Sequence, residues 1–241
     1  MALIKVKSIE ELNLRGKSIN AGDHGEIYEF DSTHYFKRIN DADGLLNNTT
    51  NYQRKNILEF LMKFKGTKHL VFPEDIYVTK EQLLGYTSVK KDAKPLASLD
   101  DDARLADVLK SFKVLLKELK VLANGGVFNY DLSPNNVLFD KEMWVIDFDE
   151  SSYNKKLSYE RMVLRLFQTV RDSIVGDCYA SPLLRQRDLD ELYRQFVSYE
   201  SLDYDAYFRL LISNAEYANY FKRIKTVGDL RRSLEIAKKN L

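Results

Sequence analysis

The chain has 241 residues, enough for one large domain or two small lobes, and its 44% hydrophobic content with 15 Tyr and 13 Phe excludes long disorder. Its 37 Lys and Arg nearly cancel 36 Asp and Glu, which excludes a global basic footprint for nucleic acid or an anionic membrane, so no nucleic-acid partner is expected and only a local basic patch stays open. The one cysteine, Cys178, excludes an internal disulfide, and no apolar run has the length of a membrane span or a signal peptide, so a soluble cytoplasmic protein is expected.

The opening residues read as a strand and a polar turn. Glu26–Phe30 and Tyr35–Ile39 are short β-rich runs separated by the turn Asp31-Ser32-Thr33-His34. A helix is predicted from about Thr50 to Phe64, with Ile57, Leu58, Leu61, Met62 and Phe64 on neighbouring turns. Strands follow at Ile76–Thr79 and Leu83–Val89, and Lys91–Pro95 reads as a polar linker. Helical spacing then runs from Asp101 to Ala123 and stops at Asn124-Gly125-Gly126. Two short strands, Val137–Phe139 and Met143–Ile146, flank the turn Asp140-Lys141-Glu142, and from Ser158 the chain reads as helical to its end. The basic clusters Lys222–Lys225 and Arg231–Arg232 read as solvated helix faces. The expected class is α+β, with a β-rich front carrying one main helix and a mainly helical back.

Chemistry concentrates near the junction of these parts. The stretch Tyr130-Asp131-Leu132-Ser133-Pro134-Asn135-Asn136-Val137-Leu138-Phe139 is followed by Trp144-Val145-Ile146-Asp147-Phe148-Asp149. Asp and Asn are ordinary turn residues, and Asp131 with Asn136 alone would carry little. The two apolar strands, however, set Asn136 and Asp147 at neighbouring ends of one hairpin. This block resembles the catalytic loop and metal-binding turn of the protein kinase superfamily. The resemblance implies a two-lobed protein-kinase-like fold as a single domain over 1–241, with an N-lobe at about 1–89 and a C-lobe at about 90–241. It also implies transfer of the γ-phosphate of ATP to a hydroxyl, with Mg²⁺ as cofactor. Asp131 would then orient the acceptor and take its proton, while Asn136 and Asp147 would hold the metal.

The rest of the nucleotide site follows from the same resemblance. Asn20-Ala21-Gly22-Asp23-His24-Gly25-Glu26-Ile27-Tyr28 looks like the glycine-rich loop with Asn20 in place of its first glycine. Gly22 and Gly25 would let backbone N–H groups approach the phosphates, with Ile27 beside the nucleotide. Two glycines between strands otherwise make an ordinary hairpin. Lys37 falls where the family has its strand lysine; alternation puts Tyr35, Lys37 and Ile39 on one face and Phe36 and Arg38 on the other. Its helix partner is expected to be Glu59, the only acidic residue between Gly44 and Pro73. Adenine is expected against backbone groups of Ser88, Val89 and Lys90. The histidines, His24, His34 and His69, lack metal-ligand spacing.

The chain departs from an ordinary protein kinase at several positions. Asn129-Tyr130 replaces His-Arg, Ser133 replaces a lysine, Asp149 replaces the glycine of Asp-Phe-Gly, and no Ala-Pro-Glu occurs. RIO-type kinases share Asp-Leu-Ser; lipopolysaccharide-sugar, choline and aminoglycoside kinases carry Asp-Phe-Asp or Asp-Phe-Glu. An atypical Ser/Thr protein kinase is the first expectation. A small-molecule or sugar kinase and a nucleotide-binding pseudokinase scaffold are the alternatives.

Overall fold

Short alternating runs between polar turns cannot make helices, and at the front of the chain they make a sheet. A computed structural model describes residues 1–14, 18–22, 25–153 and 159–239. His24 and Ser158, the expected start of the back helices, lie outside the described residues. The chain divides into two units: Met1–Asp92 with Asn124–Asp131 and Ile146–Lys155, and Ala93–Ala123 with Leu132–Val145 and Lys156–Leu241. The change near residue 90 read from the sequence is there, but the chain re-enters the first unit twice more.

In the first unit, β1 (Leu3–Lys5), β2 (Asn20–Gly22), β3 (Gly25–Glu29), β4 (His34–Ile39), β5 (Asp75–Val78) and β6 (Leu83–Val89) form a six-stranded sheet ordered β1-β5-β6-β4-β3-β2. Only β1 and β5 run parallel. The β3–β4 turn closes because Asp31 Oδ1 accepts the N–H groups of Thr33 and His34, each at 2.7 Å. After the short α1 (Asp41–Gly44), α2 (Thr49–Lys63) starts on Asn48, whose side chain accepts the Thr50 N–H.

Alternation divides the sheet's side chains as expected. Phe36, Tyr77 and Leu84 form one cluster, while Ile39, Ile76, Val78, Leu83 and Tyr86 pack with Leu58 and Met62 of α2. A fully buried Leu or Ile contributes about 1.5–3 kcal/mol, so this α2 face holds the helix to the sheet. A two-stranded ladder, β8 (Val127–Phe128) with β11 (Ser152–Tyr153), completes the unit.

The second unit contains α3 (Leu105–Asn124), which starts at Leu105 rather than at Asp101. Ala103 N–H closes a turn on Asp100 O, and Arg104 bridges to Thr226 instead. The last two residues of the expected linker form β7 (Lys94–Pro95), which pairs with β9 (Val137–Asp140), and β9 pairs with β10 (Glu142–Val145). Then come α4 (Tyr159–Val175), α5 (Arg187–Val197), α6 (Tyr204–Ala218) and α7 (Val227–Lys239). Phe167 of α4 is the hub of this core, stacked on Phe196 at 4.2 Å and edge-on to Tyr207 at 5.1 Å.

Of the two basic clusters expected on solvated helix faces, only Arg232, exposed on α7 beside Asp229, is on one. Lys222–Lys225 lies in the α6–α7 loop because α6 ends at Ala218. Arg231 turns inward and donates to the carbonyls of Leu99, Ser173 and Ile174 and to Asp101. Among the described residues no helix is long and apolar enough to cross a membrane.

Candidate functional site

The register of the first sheet sets the site. Lys37 sits in the middle of β4, opposite Ile27 of β3 and Tyr86 of β6. The strands approach closely here because Gly85 has no side chain: a Cβ there would run into the Lys37 carbonyl oxygen. Gly25 has the same reason to be glycine, since a Cβ would meet the Arg38 carbonyl oxygen. Gly22 and Gly25 face each other across the β2–β3 hairpin.

Lys37 Nζ donates to both oxygens of Asp147, each at 2.6 Å, and to Asp149 Oδ1 at 2.9 Å. Tyr86 Oη donates to Asp147 Oδ1 at 3.0 Å. Asp149 is 2% exposed, and its Oδ2 has no hydrogen-bond partner among the described residues. Asp147 holds φ at +65°, a left-handed conformation uncommon outside glycine. One buried carboxylate, Asp149, and one half-buried carboxylate, Asp147, therefore share one ammonium, which leaves a surplus of negative charge when both are ionised.

The titration behaviour follows from that imbalance. Burial, together with the hydrogen bond and charge of Asp149, pushes Asp147 up to about 7 against the pull of Lys37. Burial also pulls Asp149 upward, but the hydrogen bond with Asp147 and the Lys37 charge outweigh it and hold Asp149 below its ordinary value. For Lys37, burial is again the largest influence and is overcome by the two carboxylates, so its value rises. Burial, then Asp147, raises Tyr86 well above the usual phenol range.

The expected Lys37–Glu59 ion pair does not form. Lys55 Nζ lies 2.7 Å from Glu59 Oε1, an ion pair one helical turn long without hydrogen-bond geometry. Lys37 is satisfied by the Asp-Phe-Asp turn instead, and α2 meets that segment by other means. Arg54 Nη2 donates to Glu150 at 2.9 Å. Phe60 packs on Tyr153, and Phe64 on Phe72, which in turn packs on Phe148.

Asp131 belongs to the same unit as Lys37 and Asp147. It follows β8, whose ladder pairs Phe128 with Ser152 downstream of Asp149. Asn129, fully buried, accepts the Asp131 N–H at 3.0 Å, so the departure from His-Arg has a positioning role for the backbone. Tyr130 is exposed and sets its ring edge-on to Phe128. Asn136 lies in the second unit, at the entry to β9, with its N–H on Ser133 O. Ser88 and Val89 end β6 opposite Tyr35 and His34. The Lys90 N–H is taken by Thr33 O at 2.8 Å, which removes it from the adenine donors expected at 88–90.

Tyr86 and Arg54 were not singled out from the sequence, and Asn129 was noted only as a departure from His-Arg. Only Tyr86 carried a usable signal, as an aromatic inside a strand antiparallel to that of Lys37. No group of three or more His, Cys, Asp or Glu among the described residues is arranged to hold a metal by itself.

No protein-family model matches the chain, and no curated protein matches it. Solved structures do match. One is a crystal structure of the BubR1 kinase domain, at TM-score 0.47 and 14% identity over 65% of this chain. The chain spans 60% of that solved domain.

Proposed function

We propose that this protein is an ATP- and Mg²⁺-dependent phosphotransferase that moves the γ-phosphate to a hydroxyl, with a Ser/Thr protein as the first acceptor class. The observation that carries this is Lys37 Nζ at 2.6 Å from Asp147, across 110 residues of sequence. A structural ion pair would be balanced in charge; this one sets a single ammonium against the buried Asp149 and the half-buried Asp147.

The donors are carboxylate oxygens, the hard ligands Mg²⁺ prefers, and the surplus negative charge suits a cation. Asp147 would hold Mg²⁺, which when bound neutralises charge on the phosphates. Lys37 would exchange its carboxylate contacts for the α- and β-phosphates. The backbone of Gly22 and Gly25 would cover those phosphates, while Ile27 and the strand end at Ser88 and Val89 would flank the nucleoside. Asp131 would accept the proton of the incoming hydroxyl.

A small-molecule or sugar acceptor is the second reading, favoured by the segment after Asp149. Glu150 is tied to Arg54, and Ser152–Tyr153 is paired along one edge with β8, so these residues are already engaged within their own unit. The test is incubation with ATP, Mg²⁺ and a cell extract, followed by mass spectrometry, with Asp131→Ala as control. A phosphoprotein or a phosphosugar that disappears with Asp131→Ala decides the acceptor. Nucleotide binding without any product would leave a pseudokinase scaffold.

A further inference from the structure

We propose that the α6–α7 loop is a docking tip for an anionic lipid surface, independently of any phosphotransfer. Tyr217, Tyr220 and Phe221 are 71%, 85% and 77% exposed, the largest such group of neighbouring aromatics among the described residues. Single exposed apolar residues are ordinary, but three together form a patch. Two of them are pushed outward by the backbone itself: Tyr220 and Phe221 hold φ at +53° and +63° in succession. Bulky residues rarely adopt that conformation, and consecutively it is disfavoured further.

The loop is nonetheless well tied. Phe221 N–H reaches Glu216 O at 2.7 Å, Lys222 N–H reaches Asn219 O at 3.0 Å, and the buried Ile224 anchors the return. Its rings also touch one another, with Tyr217 and Phe221 edge-on at 5.5 Å. A loop held this way presents aromatics in spite of the local cost rather than by fraying.

Charge selects the occupant. Lys222, Arg223 and Lys225 are exposed beside the rings, and none is in an ion pair among the described residues. The neighbouring acids are occupied: Glu216 accepts the Ile224 N–H, and Asp229 accepts the Lys225 and Thr226 N–H groups and pairs with Arg232 at 2.6 Å. Rings with a polar end and flanking cations match the headgroup layer of an acidic bilayer, where aromatics lodge and Lys and Arg meet phosphates. The near-neutral total charge of the chain does not oppose this, because the attraction acts within a Debye length of the surface.

The test is cosedimentation of the full chain with vesicles of phosphatidylcholine alone and of phosphatidylcholine mixed with phosphatidylserine. Binding to the mixed vesicles only, weakened by added salt, is expected. Lys222→Glu with Arg223→Glu should weaken it on the order of 20-fold or more. Tyr220→Asn with Phe221→Asn should weaken it at least about tenfold while tolerating the left-handed backbone. Should the Asn pair fail to fold, the charge pair decides. As a direct readout, Tyr220→Trp should add fluorescence that shifts to the blue on mixed vesicles. Wild type left in the supernatant would overturn the proposal. So would vesicle binding unchanged in both double variants, or equal binding to single-stranded RNA or to an acidic peptide in the same salt.

Discussion

Two cations, one in each unit, are held in opposite ways. Arg231 meets three backbone carbonyls and one partly exposed carboxylate, Asp101 at 2.6 Å. Its donors are spent on neutral acceptors whose own demands it meets, so it acts as a cross-link between α4, α7 and the segment before α3. Lys37 meets one buried and one half-buried carboxylate, and Asp149 Oδ2 has no hydrogen-bond partner among the described residues. A saturated cation reads as structure; an outnumbered one reads as a place kept for another cation.

The comparison is tested most severely at Asp147. Asp147→Asn should cut phosphotransfer on the order of 10³-fold and erase the extra thermal stabilisation that Mg²⁺ gives with ATP. Without ligand its melting midpoint should stay level or rise, because the variant relieves two carboxylates of their mutual repulsion. A fall of several degrees would place Asp147 with Arg231 as a structural group.

Arg231→Ala should do the reverse. It strands three carbonyls and should cost about 3 kcal/mol, seen as a midpoint lower by about 6–12 °C, while phosphotransfer by the folded fraction is retained. Loss of turnover without loss of stability would break the contrast from the other side.

Tyr86→Phe sharpens the comparison with a single atom. Removing the hydroxyl on Asp147 should lower unliganded stability by about 1 kcal/mol, and the Mg²⁺-dependent increment should grow because one competitor for Asp147 Oδ1 is gone. An unchanged increment in a calorimetric titration would show that the hydroxyl does not compete.

The smallest effect is expected at His34, which lies 3.0 Å from Asp31 Oδ1 and 2.9 Å from Glu74. Burial lowers its value, but its hydrogen bonds to the carboxylates of Asp31 and Glu74 outweigh that and raise it above 6.5. A raised histidine stabilises fully below its unfolded value and loses that contribution as pH rises through its folded value. Stability should therefore decline slightly from mildly acidic to mildly alkaline pH, and His34→Gln should flatten that decline in denaturant titrations.

Local pattern made much of this legible. The α2 boundaries, the β5–β6 hairpin and the β3–β4 turn follow from spacing and turn residues within a few positions, and the structure moves them by one residue or less. The α3 start was missed because its outcome depends on Thr226, far along the chain. Glu59 was misassigned by being the only acid of its segment. Lys55, one helical turn before it, was the nearer partner, and nothing distant was needed to see that. The Lys222–Lys225 cluster was read as helix because periodicity does not reveal where α6 ends, and its last turn stops on Asn219 with Tyr220 left-handed.

The sequence by itself determined the α+β class, the order of strand, helix and turn, and the candidacy of Lys37, Asp131 and Asp147, because periodicity and residue type act over short distances. Only the tertiary structure decided that Lys37 faces Asp147 and Asp149 rather than Glu59. It also decided that Tyr86 reaches the same carboxylate, that Arg231 is consumed inside its unit, and that the α6–α7 aromatics face water. Each of these depends on strand register or helix termination among residues distant in sequence. There the winning contact is the one that best compensates buried charge, a quantity that exists only once the chain has closed on itself.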